Sequence, residues 1–199
     1  MTDLLIATTN PGKIVELQDL LQGLPFRLLS PAEAGIRLEV AETGATYAEN
    51  AALKAAAFCA ASGLLTLADD SGLEVEALGG APGLHSARYS PQAGATDADR
   101  RALLLKNLAG QPQPWRARFV CVVALAEPGQ PLQFAEGECR GEILPAERGD
   151  NGFGYDPIFY LAGLGRTMAE LTRAEKNRLS HRARAVQAAM PLLRGKRES

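Results

Sequence analysis

Short apolar runs of strand length alternate with segments of helical spacing along this chain, an order that admits an α/β domain and little else. The first run, residues 4–7, ends at Thr8-Thr9-Asn10-Pro11-Gly12-Lys13. Ile14, Leu17 and Leu21 then share one helical face, with Glu16 and Asp19 off it. Asn10 is a good N-cap, and Pro11 sits at the first helical position, where its missing N–H costs nothing. A second helix starts at Thr46-Tyr47-Ala48-Glu49, a capping-box pattern, and runs alanine-rich to Ser62-Gly63. Residues 64–68 read as a buried strand that runs into Asp69-Asp70-Ser71-Gly72. Leu73, Val75 and Ala77 then alternate with Glu74 and Glu76, an extended segment with one wet face. A glycine loop over 79–83 follows, then a helix over 97–108 with Leu104, Leu105 and Leu108 inward, and a strong strand over 118–125. Pro128-Gly129-Gln130-Pro131 turns that strand as a hairpin toward a second strand near 132–143. Residues 149–156 form a glycine-rich loop, and the remainder reads as mainly helical to about Leu193, with a frayed tail from Arg194.

At 199 residues, with 46% hydrophobic and 22% charged residues, the chain can bury a real core and is not disordered. No repeat or linker separates independent parts, so residues 1–199 read as a single domain. A net charge of -2 argues against a protein that coats nucleic acid or a membrane. No apolar run approaches the roughly 20 residues needed to span a bilayer. The opening Met1-Thr2-Asp3-Leu4 has no basic stretch and is too short for a signal peptide, so it reads as the start of the first strand. Cys59, Cys121 and Cys139 are odd in number, far apart and free of any CxxC, which points to buried thiols in a reducing cytoplasm.

Five constellations carry chemistry. Residues 8–13 join a strand to a helix N-terminus, whose unpaired N–H groups and partial positive charge suit phosphate; Thr8, Asn10 and Lys13 add donors and a charge. A capped helix with a solvated lysine accounts for the same residues, and no GxxxxGK[ST] loop is present. Asp69-Asp70-Ser71-Gly72 places two carboxylates at a strand end, where they can hold Mg²⁺ and orient or deprotonate water. Neighbours on an extended chain point opposite ways, so one of the two faces the site. Of Glu39, Glu42 and Glu49, the last has its task in the capping box, which makes Glu42 the better metal-ligand candidate beside the alternative of a surface acid. Asn151-Gly152-Phe153-Gly154-Tyr155-Asp156-Pro157 lets the backbone approach a ligand, offers Phe153 and Tyr155 as faces for a base, and offers Asp156 as an acceptor. In Lys176-Asn177-Arg178-Leu179-Ser180-His181-Arg182, a continuous helix stacks Arg178 and Arg182 at i, i+4, a cluster for polyphosphate or a base carbonyl. His85 is left structural.

Taken together these pieces closely resemble the inosine triphosphate pyrophosphatase family from Leu4 to about Pro191. The carriers are residues 8–13, 42–51, 68–73, 79–83, 86–90, 152–157 and 180–182, weak singly and specific in joint order. The resemblance implies a long mixed β-sheet flanked by helices, two lobes around a central substrate cleft, and a homodimer. It implies Mg²⁺-dependent hydrolysis of ITP, XTP and their deoxy forms to the monophosphate and pyrophosphate. By the same resemblance Thr8, Thr9, Asn10 and Lys13 contact phosphate, and Asp70 is the general base and metal-linked acid. Ser71 contacts substrate with Asp69 in support; Phe153, Gly154, Tyr155 and Asp156 form the base and ribose pocket; Lys176, His181 and Arg182 contact base and phosphate. One departure is Ala41, where many members carry an acid before Glu-Thr-Gly, so that residue's duty passes here to Glu42 or elsewhere. The rival expectation is a nucleotide- or nucleic-acid-binding module without hydrolysis, with bases stacked on Phe153 and Tyr155.

Overall fold

The computed structural model describes residues 2–197; Met1, Glu198 and Ser199, the ends of the expected first strand and frayed tail, lie outside the described residues. A seven-stranded mixed sheet organises the chain in the order β2-β1-β3-β4-β5-β6-β7. Its strands are β1 (Thr2–Ile6), β2 (Phe26–Leu29), β3 (Leu65–Val75), β4 (Trp115–Ala126), β5 (Gln133–Ile143), β6 (Phe159–Leu161) and β7 (Arg166–Thr167). The helices are α1 (Pro11–Leu21), α2 (Tyr47–Ser62), α3 (Asp97–Leu108), α4 (Arg173–Leu179) and α5 (His181–Arg194). β1 pairs parallel with both β2 and β3, whereas β6 pairs antiparallel with β5 and β7. Among the described residues no helix is long and apolar enough to cross a membrane.

The chain forms two compact units. One takes the residues up to Asp70, Cys121–Gly137 and the chain from His181; the other takes Ser71–Val120 and Glu138–Ser180. The first unit is a sheet buried on both faces, which is why 4–7 is an unbroken apolar run. Leu4, Ile6 and Leu67 pack with Leu17 and Leu21 of α1 and Val186 and Ala189 of α5, while Leu5, Ala7 and Ala68 pack with Ala51, Ala55 and Phe58 of α2. The second unit has one core, in which Leu104 and Leu108 of α3 meet Phe119, Tyr155, Phe159 and Met168.

Helix starts follow from local chemistry. The Asn10 side chain accepts the Lys13 N–H at 3.2 Å and the Thr46 side chain accepts the Glu49 N–H at 3.1 Å. Gly63 ends α2 in the left-handed conformation, and Thr96 and Asp99 close a capping box on α3. Five expectations change. β3 continues as strand through Asp69–Gly72, and Ala77 belongs to a 3-10 turn over Glu76–Leu78. The stretch after the glycine loop contains β6 and β7 before any helix. Ser180 is extended, with ψ 157, and caps α4, so Arg178 and Arg182 lie on different helices rather than at i, i+4 on one. Glu16, expected off the buried face of α1, is 8% exposed.

Candidate active site

In the first unit, β1 leads through α1 to β2 on one side of it, while β3 lies on the other. The crevice past the carboxyl end of β1 is therefore a topological switch point, where open α/β sheets bind ligands. Ile6 pairs with Leu67, so the loop 8–10 and the pair Asp69-Asp70 emerge side by side there. Because β3 stays extended, the two carboxylates project to opposite faces, and each meets its own cations.

Asp69 faces α1 and α5. Its Oδ2 lies 3.0 Å from Lys13 Nζ and 3.2 Å from both Nε and the second guanidinium nitrogen of Arg182. Arg182 also pairs with Glu16, so at 1% exposure its buried guanidinium serves both carboxylates. Burial alone would raise the Asp69 carboxyl; Lys13 and Arg182 outweigh it and hold the group well below the usual carboxylate range. Oδ1 of Asp69 is buried without a hydrogen-bond partner among the described residues.

Asp70 faces α2. Asn50 donates to its Oδ2 at 3.3 Å, and the Lys54 ammonium lies 3.2 Å from its Oδ1 and 2.6 Å from Glu42 Oε1. Burial pushes the Asp70 carboxyl up; Lys54 and Lys13 counter this only in part, and Glu42 adds to the rise. Burial would lower Lys54, but Asp70 and Asp69 outweigh it and keep the ammonium protonated. The neighbouring acids thus differ in kind: Asp69 is a fixed anion, and Asp70 is a carboxyl with raised proton affinity.

The remaining residues of the loop 8–13 are placed as follows. Thr8 Oγ1 accepts the Asn10 N–H at 3.2 Å. Thr9 is exposed and lines a cavity of about 600 Å³ together with Ile36, Arg37 and Glu39. Glu49 closes its turn on the Ala45 N–H at 2.6 Å, one residue before the expected partner. Ser71 follows Asp70 along β3 and is half-buried. His181 opens α5 and is 5% exposed.

In the second unit the glycine loop folds around Asp156. Its Oδ2 accepts the Phe153 N–H at 2.9 Å and lies 2.5 Å from Lys176 Nζ, which stands 4.9 Å over the Phe153 ring. Gly152 has φ +77, and a Cβ there would run into the Asp156 carboxylate, so this turn requires glycine. Of the two aromatics expected to offer faces, Phe153 is half-buried. Tyr155 is packed into the core at 4% exposure, its hydroxyl donating to Ser86 O at 2.9 Å. Gly154 has φ +63, with open space where a Cβ would stand. His85 is exposed.

Sequence reasoning passed over Lys54, Asn50 and Glu16. A usable signal existed for the first two: they are polar residues at i, i+4 in an otherwise apolar, alanine-rich helix and share the face turned to Asp70. Glu16 carried none, because its partner Arg182 is 166 residues away.

Comparison with known proteins places these features in company. The sequence model of the Ham1 family matches residues 4–192. A curated dITP/XTP pyrophosphatase of Gloeobacter violaceus is 52% identical over 186 residues, covering 94% of this chain and 91% of that protein. Solved structures are similar throughout. A HAM1 protein from Coxiella burnetii superposes with TM-score 0.86 at 40% identity, covering 100% of both chains. The Staphylococcus aureus Ham1 protein gives TM-score 0.86 at 38% identity over 98% of this chain and 100% of its own.

Proposed function

Because the chain belongs to the Ham1 family, we propose that it hydrolyses non-standard purine nucleoside triphosphates (ITP, dITP, XTP, dXTP) to the monophosphate and pyrophosphate, clearing them from the nucleotide pool. The observation that carries this reading is the split acid pair at the β1/β3 switch point, with Lys13 seated on Asp69 and Lys54 on Asp70.

The first unit supplies the chemistry of the tail. The N-terminus of α1 and Lys13 offer positive charge to phosphate oxygens, and Thr8, Thr9 and Asn10 offer hydrogen bonds. Glu42 and Asp70 already converge on one cation, the Lys54 ammonium. Among the described residues no cluster of three or more acidic, histidine or cysteine ligands occurs, and two carboxylates suit Mg²⁺, which takes few protein ligands and completes its shell with water and substrate phosphates. Bound there, Mg²⁺ supplies neutralisation of charge on the phosphates. Asp70 accepts the proton of the water that attacks the α-phosphorus, and its raised proton affinity favours that role. Ser71, next on the strand and the first residue of the second unit, contacts the substrate by the family resemblance. Arg182 acts at one remove, by holding Asp69.

The second unit supplies the choice of base. Phe153 offers a ring face, Gly154 leaves space, Tyr155 fixes the loop in the core, and Asp156 orients Lys176. Lys176 donates to a 6-oxo group, and the family resemblance adds His181, of the first unit, as a donor to the substrate. A 6-amino group would leave such a donor unpaired, at a cost of about 1–3 kcal/mol. A homodimer completes the reading, and three buried cysteines outside any disulfide suit a cytoplasmic setting.

Pyrophosphate release from ITP, XTP, dITP, ATP and GTP, with Mg²⁺ and with EDTA, tests the function. Release is expected from the first three and is lost in EDTA. No release from any of them would leave only a nucleotide- or nucleic-acid-binding module. Light scattering in solution tests the dimer.

A further inference from the structure

The first turns of α3 hold the base loop, although nothing in their sequence marks them as part of a site. Asp97 and Arg101 stand at i, i+4 on one face of the helix. Asp97 Oδ2 accepts the Gly154 N–H at 2.7 Å, and Arg101 donates to the Gly154 carbonyl at 2.8 Å. The two peptide units that flank the Gly154 Cα are therefore each tied to the same helix. Each tie is braced in turn. Arg101 forms a fork on Glu147 at 2.8 and 2.9 Å, and Arg100 lies 2.5 Å from Asp97 Oδ1. Burial would raise the Asp97 carboxyl, but Arg100 and the Gly154 N–H outweigh it and keep Asp97 an anion. α3 is itself fixed, by its Thr96–Asp99 capping box and by Leu104 and Leu108 at 0% exposure.

We propose that Asp97 and Arg101 are positioning residues for purine recognition: they lock Gly154, whose neighbour Tyr155 is anchored in the core, and thereby present Phe153, on one side, and Asp156 with its Lys176, on the other, in a form ready for the base. Glycine at φ +63 has more conformational freedom to lose than any other residue, and ordering even one such residue at binding weakens affinity about tenfold. The clamp removes that cost before substrate arrives. It also gives both polar groups of Gly154 protein partners, so the residue's contribution to the ligand is space rather than a hydrogen bond.

The inference rests on the pyrophosphatase reading, and the experiment separates the two. Steady-state kinetics are measured with dITP for the unaltered protein and for Asp97→Ala, Arg101→Ala, Arg101→Met and Asp97→Asn, with inorganic tripolyphosphate as a competitive probe of the tail site alone. The alanine variants and Arg101→Met should raise KM about tenfold with kcat within about twofold, the pattern of lost binding common to ground and transition states. The tripolyphosphate inhibition constant should not move, because the clamp touches only the base loop. Asp97→Asn keeps an oxygen for the Gly154 N–H and should recover most of the loss. Thermal melts identify any alanine variant that unfolds, and Arg101→Met, which keeps the aliphatic stem, then carries the test. An unchanged KM in folded variants of an active enzyme would overturn the inference alone, as would a tripolyphosphate constant that weakens by the same factor. Failure of the unaltered protein to hydrolyse dITP would overturn the reading beneath it.

Discussion

Replacing Arg182 by Met tests the electrostatic frame of the first unit. The Arg182 side chain is 2% exposed, between Asp69 at 0% and Glu16 at 11%, so its loss strips two desolvated carboxylates of a shared cation. Breaking a buried ion pair from one side costs about 3–5 kcal/mol. Met approximates the length of the lost side chain, so the cavity contribution is small. Lys13 remains 3.0 Å from Asp69, which places the expectation at the lower end, roughly 3 kcal/mol. For a chain of this size that corresponds to a fall in Tm of roughly 6–12 °C. Urea unfolding at pH 7.5 and at pH 5 measures both the size and the sign. In the variant the carboxylates bind protons more readily when folded than when unfolded, so stability rises as pH falls to 5, whereas in the parent the contribution of Asp69 is already full at both pH values. Glu16→Gln added to Arg182→Met should recover part of the loss, because an amide is easier to bury than a carboxylate. A loss below about 1 kcal/mol, the scale of an exposed pair, with no rise in the variant's stability toward pH 5, would refute the account.

Asp70→Asn should reduce turnover by at least about a hundredfold. It should leave Tm unchanged or raised, since burial disfavours the Asp70 anion; a large fall in Tm would show that its charge is structural instead. Asp69 titrates below its unfolded range near 3.9, so the stability it provides is present above about pH 4 and drains away as pH falls toward its folded value. Asp69→Asn should flatten that acid limb in unfolding experiments, and an unaltered limb would assign the acid response elsewhere. Gly152→Ala pushes Asp156 off Lys176 and Phe153 and forces φ +77 on a residue with a Cβ, so KM for dITP should rise while the inhibition constant for tripolyphosphate holds. Cys59, Cys121 and Cys139 are all buried and in no disulfide, and burial raises the Cys121 thiol well above its ordinary range. Aromatic disulfide reagents should therefore titrate three thiols only after denaturation, and fast labelling of the native protein would contradict that burial.

What the sequence disclosed and what it withheld divide along the range of the forces involved. Helix starts at Asn10, Thr46 and Thr96 depend on hydrogen bonds three residues long, and such signals survive in a linear text. The apolar runs of β1 and β4 report burial on two faces in the same way. β6 and β7 have three and two residues, too short for any period to show, and they exist because β5 offers an edge. The break at Ser180 was equally hidden: serine is tolerated inside helices, and here it accompanies a change of unit, with Lys176 serving the glycine loop and Arg182 serving Asp69. The residue types of the site were legible because phosphate and metal chemistry demands lysines, acids and glycine turns. The holders Glu16, Asp97 and Arg101 were not, because each is defined by a partner far away in sequence.

The period of a β-strand gives the division of labour between Asp69 and Asp70. Had β3 ended at Ala68, as a turn-like reading of Asp-Asp-Ser-Gly suggests, both acids would sit in one solvated loop and share one set of cations. Because the strand continues, consecutive side chains leave on opposite faces. Asp69 reaches a guanidinium and a lysine that outweigh its burial, and Asp70 touches Lys54, which even with the more distant Lys13 does not. Adjacent carboxylates in a loop could be told apart only by small differences in hydration. Here the backbone assigns one to hold Lys13 and Arg182 in place and the other to take a proton, and an inserted residue at position 69 would exchange the two faces and abolish both roles at once.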